Sequence, residues 1–135
     1  MSPRLKIAIG IVVALAVAVA VGFAWGASGR LPAEHALAEA TQRLDLADAR
    51  GHILQARVSL YNVNFGDAQQ QLEDAKAPLQ RAHDRAQQAG QREAAQALGE
   101  ALTHAQEAQR LAGRLDQGAN TQADAALKSI AAAMK

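Results

Sequence analysis

The sequence contains no cysteine and few aromatic residues, and each scarcity excludes a class of protein. Without cysteine, the 135-residue chain has no disulfide framework, no thiolate zinc site and no cysteine nucleophile. One Trp, one Tyr and two Phe leave little side-chain volume with which to shape a deep ligand pocket. Beyond residue 30 the aromatic residues are Tyr61 and Phe65, within a chain rich in alanine.

Neither sign of charge dominates. The chain has 14 Lys and Arg against 13 Asp and Glu, a net charge of +1. Nucleic-acid binding requires a clustered basic face, commonly with aromatic residues on which bases stack. The sequence has neither feature, so nucleic acid is not an expected partner.

Residues 7–25 form an apolar stretch without a charge, and Arg4 and Lys6 precede it. As a helix it would span roughly 29 Å, close to the hydrocarbon thickness of a bilayer. The sequence therefore predicts a cytoplasmic N-terminus over residues 1–6 and a transmembrane anchor over residues 7–26.

The two N-terminal cations orient this anchor, because positive residues flanking a span stay in the cytoplasm. The protein is then a single-pass protein of a bacterial-type inner membrane, with a periplasmic or otherwise extracytoplasmic C-terminal domain. A cleaved signal peptide is the alternative, since Ala24 and Gly26 are small residues at suitable spacing for cleavage.

Small residues recur every four positions along the predicted anchor. The series consists of Gly10, Ala14, Ala18, Gly22 and Gly26. Such a ladder allows two transmembrane helices to pack closely. The alternative is that small residues are frequent enough here to produce the spacing without a packing role.

Residues 27–31 follow as a linker, and residues 32–135 form the extracytoplasmic helical domain. Pro32 suits the first turn of a helix, where its missing N–H costs little. Turn residues divide the domain into helices over residues 32–62, 67–89, 92–116 and 121–134. No useful stretch alternates with period two, so we expect an all-α fold without a sheet.

Apolar residues in this domain alternate steps of three and four, which is typical of helices that pack side by side. The first series is Leu37, Ala40, Leu44, Ala47, Gly51, Leu54, Val58, Tyr61 and Phe65. The second is Ala68, Leu72, Ala75, Leu79, Ala82, Ala86 and Ala89. The third is Ala94, Leu98, Ala101, Ala105, Ala108, Ala112 and Leu115, and the fourth is Ala123, Leu127, Ile130 and Met134.

Short turns between such helices produce antiparallel hairpins, and hence a three- or four-helix bundle. The bundle closes within one chain or with a second copy, because alanine-rich seams serve either arrangement. Asp67 is the expected cap of the second helix and Gly90 its terminator. Thr121 with Asp124 resembles a capping box, and Gly51 would allow a close helix crossing.

Within residues 56–82, Leu60 and Tyr61 end one helix, a turn follows, and Ala68, Leu72 and Ala75 begin the next in a small–large–small pattern. This segment resembles part of a tetratricopeptide-type repeat. The resemblance implies TPR-like helical hairpins that stack and present a surface to a peptide or protein.

The residues that could carry chemistry are scattered. His35, His52, His83 and His104 have no histidine three or four positions away, so no metal site is expected. No serine lies in a Gly-x-Ser-x-Gly elbow, and acidic residues mostly accompany Arg or Lys at helical spacing. The sequence predicts neither an enzyme nor a cofactor.

Tyr61 and Phe65 lie near the predicted tip of the first hairpin, together with Asn62 and Asn64. They form either a plug that closes the end of the hairpin or an aromatic patch that docks a partner. These four residues are the candidate partner-binding site.

The anchor and the helical domain together favour an interaction or scaffold protein. Its partners would be the lipid bilayer, through the anchor, and an envelope protein or a second copy of the chain. The alternative is a ligand-sensing helical bundle that signals through a partner, since six residues before the anchor leave no room for an output domain.

Overall fold

The computed structural model of the protein describes the backbone of residues 3–135 and the side chains of residues 13–23, 26 and 32–135, and this part is all α-helical. Its helices are α1 (Pro3–Tyr61), α2 (Phe65–Gln88), α3 (Arg92–Ala112) and α4 (Gly118–Ala133). The all-α prediction is confirmed. The chain divides into two compact units, residues 1–40 and residues 41–135, and α1 contributes to both.

The first unit is helical from Pro3 onward. The helix continues through residues 27–31, where we expected a linker, and it contains Pro32 in its interior rather than in its first turn. An interior proline removes one backbone hydrogen bond, so α1 has one fewer at this point. Within the described ranges, no helix meets the length and hydropathy needed to cross a bilayer. Of the predicted anchor, residues 13–23 and 26 have described side chains.

The second unit is a four-helix bundle that closes within one chain. Helix α3 packs against both α2 and α4. Ion pairs connect α1 to α2 and to α4. Arg81 of α2 binds Asp45 of α1, and Arg57 of α1 binds Asp124 of α4. Each connection has only a few residues, so consecutive helices are antiparallel. The predicted bundle is confirmed, and it uses all four helices.

Each helix contributes one narrow buried seam to the core, mostly of alanine with a few larger residues. In α1 it is Leu46, Ala49, Ile53, Ala56 and Leu60, and in α2 Phe65, Ala68, Leu72, Ala75, Pro78, Leu79, Ala82 and Ala86. In α3 it is Ala95, Leu98, Ala101, Ala105, Ala108 and Ala112, and in α4 Ala119, Ala123, Ala126 and Ile130. The seams predicted for α2 and α3 are confirmed almost throughout.

The seam predicted for the first helix was wrong. Leu44, Leu54 and Val58 are exposed, and the buried residues lie on nearly the opposite face of α1. The reason is that α1 carries two apolar stripes. The stripe with Ala49 and Ala56 packs against the alanine-rich seams of the neighbouring helices, and the other stripe stays outside the core.

Two helix starts also differ from the prediction. Asn64, not Asp67, caps α2, and its Oδ1 accepts a hydrogen bond from the Asp67 backbone N–H at 3.3 Å. Helix α4 begins before Thr121, and the Asp116 carboxylate accepts from the Gly118 N–H at 2.8 Å. A capping residue must precede the first turn, so both predicted caps were placed too late in the sequence.

The two glycine predictions have opposite outcomes. Gly90 ends α2 with a φ of +70°, as expected of a glycine that terminates a helix. Gly51 does not mark a close crossing, because a Cβ added there would have no neighbouring atom within 4 Å.

Candidate functional site

The structure separates the two aromatic residues of the predicted partner site. Phe65 is 9% exposed and packs in a cluster at the end of the bundle. The other buried members of this cluster are Leu60, Ala68, Ala112 and Ala119, so all four helices contribute. Tyr61 is 68% exposed and lies outside this cluster. Phe65 therefore closes the end of the core, and Tyr61 belongs to the surface.

The two asparagines of that site are both exposed. Asn64 is occupied as the cap of α2. Asn62 belongs to the turn after α1, where its backbone N–H donates to the Val58 carbonyl oxygen at 3.1 Å. Of the four residues, Tyr61 thus has the side chain best placed to meet another molecule.

Tyr61 is the last member of an apolar stripe on the outer face of α1. We call Leu44, Ala47, Gly51, Leu54, Val58 and Tyr61 the outer α1 stripe. Its large side chains are 70%, 42%, 60% and 68% exposed at Leu44, Leu54, Val58 and Tyr61, respectively. The positions alternate steps of three and four, as in a helix face that packs against another helix.

Charged and polar side chains border the outer α1 stripe on its two sides. Arg43 and Arg50 precede the stripe positions 44 and 51, while Asp48 and Gln55 follow positions 47 and 54. All four residues are exposed. An apolar stripe with polar borders has the composition of a helix-pairing surface. Sequence reasoning missed these border residues because it assigned the stripe to the core.

A polar network connects the end of the stripe to α4. Arg57 donates from Nε to Asn120 Oδ1 at 3.0 Å and from Nη1 to Asp124 Oδ1 at 2.9 Å. Hydrogen bonding with Asn120, and then with Arg57, lowers the pKa of the Tyr61 hydroxyl, and the positive charge of Arg57 acts in the same direction. The network fixes the end of α1 against α4.

A second network fixes the other side of α1 against α2. Asp45 Oδ1 accepts from Arg81 Nη2 at 2.8 Å, and Asp45 Oδ2 lies 2.6 Å from Arg85 Nη1 as an ion pair without hydrogen-bond geometry. Burial alone would raise the pKa of the Asp45 carboxyl, but the two guanidiniums outweigh burial and lower it. Both sides of α1 are thus held within the chain, which leaves its outer face uncovered.

Two turns at the same end of the bundle contain residues in the left-handed region. Val63 has a φ of 58° and Leu115 a φ of 57°, and both side chains are exposed. Each follows a helix that ends in a Schellman motif: the Asn64 N–H donates to the Ser59 carbonyl oxygen at 2.8 Å, and the Asp116 N–H to that of Leu111 at 3.0 Å. These turns place two further apolar side chains at this end of the domain.

A groove of about 540 Å³ lies between α2 and α3 at the Gly90 end. Its polar lining includes His83, Gln87, Arg92 and Gln96. It contains no aromatic side chain and is open to solvent, whereas small-molecule sites are mostly apolar and enclosed. In the described ranges, no group of three His, Asp or Glu residues could hold a metal ion.

The small-residue ladder falls in the first unit. Gly10 lies outside the residues with described side chains, while Ala14, Ala18, Gly22 and Gly26 are exposed. No neighbouring atom lies within 4 Å of a Cβ added at Gly22 or Gly26. Close packing along this ladder therefore stays a prediction.

Comparisons of the chain with protein-family models, with curated proteins and with solved structures found no match. The function of the chain is therefore inferred from its surface chemistry. The outer α1 stripe is the strongest feature, since it places four large apolar side chains on one exposed helix face.

Proposed function

We propose that the protein is a membrane-anchored interaction protein, and that the outer α1 stripe docks another helical protein surface. The observation that supports this proposal is that the bundle buries a complete core within one chain and still exposes the stripe. The stripe is therefore not needed to fold the domain. Apolar patches of this kind mark interaction surfaces in soluble domains.

The geometry of the stripe favours a helix as the docking element. Apolar anchors at steps of three and four on one helix are recognised by the groove between, or the face of, other helices. Leu44 and Tyr61 are the most exposed of the large side chains, and the charged borders would set the register of the partner. This mode requires no catalytic group and no cofactor.

The case for the anchor comes from the sequence of residues 7–25. Every described side chain in residues 13–23 is exposed, and large apolar residues alternate with small ones through this range. An anchored domain meets its partner on the same membrane, where tethering raises the effective concentration. A weak docking surface is then sufficient.

Site-specific photo-crosslinking tests the docking surface. A photoreactive residue is placed at Leu54 in the full chain, and the same residue at the exposed Ala77 of α2 serves as the matched control. We expect protein adducts at position 54 at least several-fold above those at position 77 after membrane preparation. Equal adduct yields at the two positions would contradict a role for the stripe.

Carbonate extraction of the same membranes tests the anchor. We expect the uncleaved chain in the membrane pellet, because a spanning helix resists extraction. Release of the intact chain into the supernatant would contradict the anchor and leave the docking result unaffected.

A further inference from the structure

We propose that the outer α1 stripe pairs with the same stripe of a second copy of this chain, as a parallel two-stranded coiled coil. This inference rests on the proposed function and names the partner. It assigns the stripe a heptad register: Leu44, Gly51 and Val58 occupy the a positions, and Ala47, Leu54 and Tyr61 occupy the d positions. The core seam of α1 then falls on the c and f positions. One face of α1 therefore packs inside the bundle, and the nearly opposite face forms the contact with the second copy.

The charges bordering the stripe select a copy of the chain in parallel orientation. In this register Arg43 and Arg50 are g residues, and Asp48 and Gln55 are e residues. In a parallel pair, each g residue faces the e residue five positions further along the other strand. Arg43 therefore faces Asp48 of the second copy, and Arg50 faces Gln55 of the second copy. Two-fold symmetry makes each contact twice.

The antiparallel arrangement has the opposite electrostatics. There g residues face g residues, which sets the arginines of the two copies at positions 43 and 50 against g positions that also hold arginine; Arg57 is already paired with Asp124 of its own chain. Like charges placed opposite each other in a helix pair are unfavourable. The stripe is thus self-complementary in one orientation only. That orientation also brings both residues 41 to one end of the pair, as two chains anchored in one membrane require.

The structure removes much of the usual cost of forming a short coiled coil. Residues 44–61 span only about 26 Å, and an isolated helix of that length is marginally stable in water. Here the bundle already holds this segment helical, so pairing does not have to fold it. Gly51 lies midway along the stripe with no atom within 4 Å of an added Cβ, which leaves space for a second helix to approach.

Disulfide cross-linking tests the parallel pair directly, because the chain contains no cysteine. Leu44→Cys and Leu54→Cys are made singly in the full chain, and the membranes are oxidised. Core positions of a parallel coiled coil face their own copies, so we expect disulfide-linked dimers with both variants. Ala77→Cys in α2 and Gln106→Cys in α3 are matched exposed controls, with expected yields several-fold lower.

The two stripe positions also distinguish the orientations. They are ten residues apart, about 15 Å along the helix, so an antiparallel pair cannot bring both to its two-fold axis. Dimers with both variants support the parallel pair. Dimers with only one variant, or yields no greater than those of the control positions, overturn it.

Charge reversal tests the predicted contact between Arg43 and Asp48 of the second copy. In the Leu54→Cys background, Arg43→Glu or Asp48→Lys alone sets like charges together, and each should lower the dimer yield about fivefold. The double variant Arg43→Glu/Asp48→Lys restores the opposite charges and should return the yield to within about twofold of the parent. A double variant as weak as the singles would overturn the charge pairing and with it the parallel register. Circular dichroism of each variant verifies that the helices remain folded.

Disulfide cross-linking and photo-crosslinking together distinguish failure of the parallel pair from failure of the proposed function. Photo-adducts at position 54 that contain only a different protein, without disulfide-linked dimers, overturn the second copy and leave the proposed function standing. Absence of both products overturns both proposals.

Discussion

At the scale of single residues, Val63 and Leu115 occupy a backbone conformation that side chains disfavour. Both have positive φ values at the C′ position of a Schellman motif, where Gly90 performs the same role after α2. A β-branched residue such as valine is especially unfavourable there. The fold therefore holds strained residues at one end of the bundle, and their exposed side chains contribute little packing in return.

We predict that Val63→Gly and Leu115→Gly each stabilise the domain by about 1 kcal/mol. Glycine relieves a backbone strain of roughly 1–2 kcal/mol. It also raises the conformational entropy of the unfolded chain, which offsets part of this stabilisation. Urea unfolding followed by circular dichroism measures the change. Gly90→Ala is the reciprocal control and should destabilise by a similar amount, because its φ is also positive. Destabilisation by the glycine substitutions would show that these two side chains stabilise the fold in spite of their backbone strain.

At the scale of the elements, Asp45 connects α1 to α2. Its side chain is 10% exposed, whereas those of Arg81 and Arg85 are 53% and 30% exposed, respectively. A buried carboxylate held by two guanidiniums is more stable charged than neutral, which is why its pKa is lowered. The stability it supplies is present above the pKa of the unfolded chain, and it is lost as the pH falls through the folded pKa.

We predict that Asp45→Asn destabilises the domain by about 1–3 kcal/mol at neutral pH, because the amide cannot replace the charged contacts. Below about pH 4 the difference should shrink, since the wild-type carboxyl becomes protonated and loses the same contacts. Unfolding free energies of both proteins across the acid range provide the measurement. The exposed Asp74→Asn is the control and should change stability by less than about 0.5 kcal/mol. A difference that stays constant with pH would contradict this role of the ion pairs.

Sequence periodicity predicted the buried face correctly for α2 and α3 but not for α1. Helices α2 and α3 each have a single stripe of small and large apolar residues, so their buried faces could be predicted. Helix α1 has two, and the stripe with the larger residues is the exposed one. Both stripes follow helical spacing and both contain small residues, Ala47 and Gly51 in one and Ala49 and Ala56 in the other. Spacing alone therefore could not show which stripe packs in the core.

At the scale of the whole molecule, the all-α fold class and a helical bundle followed from the sequence. The choice between three and four helices was left open, and the site followed only in part. Tyr61 belongs to the outer α1 stripe, and its predicted neighbour Phe65 belongs to the core. Periodicity cannot separate these roles, since both residues fit the same heptad series. The packing of α1 against α2 and α4 determines which face of α1 remains outside.

That assignment of faces can be tested with two adjacent residues, Ile53 and Leu54. Ile53 is fully buried and Leu54 is 42% exposed. Ile53→Ala and Leu54→Ala are compared in the full chain, in detergent diluted to one chain per micelle, by urea unfolding. We predict that Ile53→Ala lowers the unfolding free energy by about 2–5 kcal/mol and that Leu54→Ala lowers it by less than about 0.5 kcal/mol. The reverse order would show that the outer α1 stripe is part of the core, and would contradict its role as a docking surface.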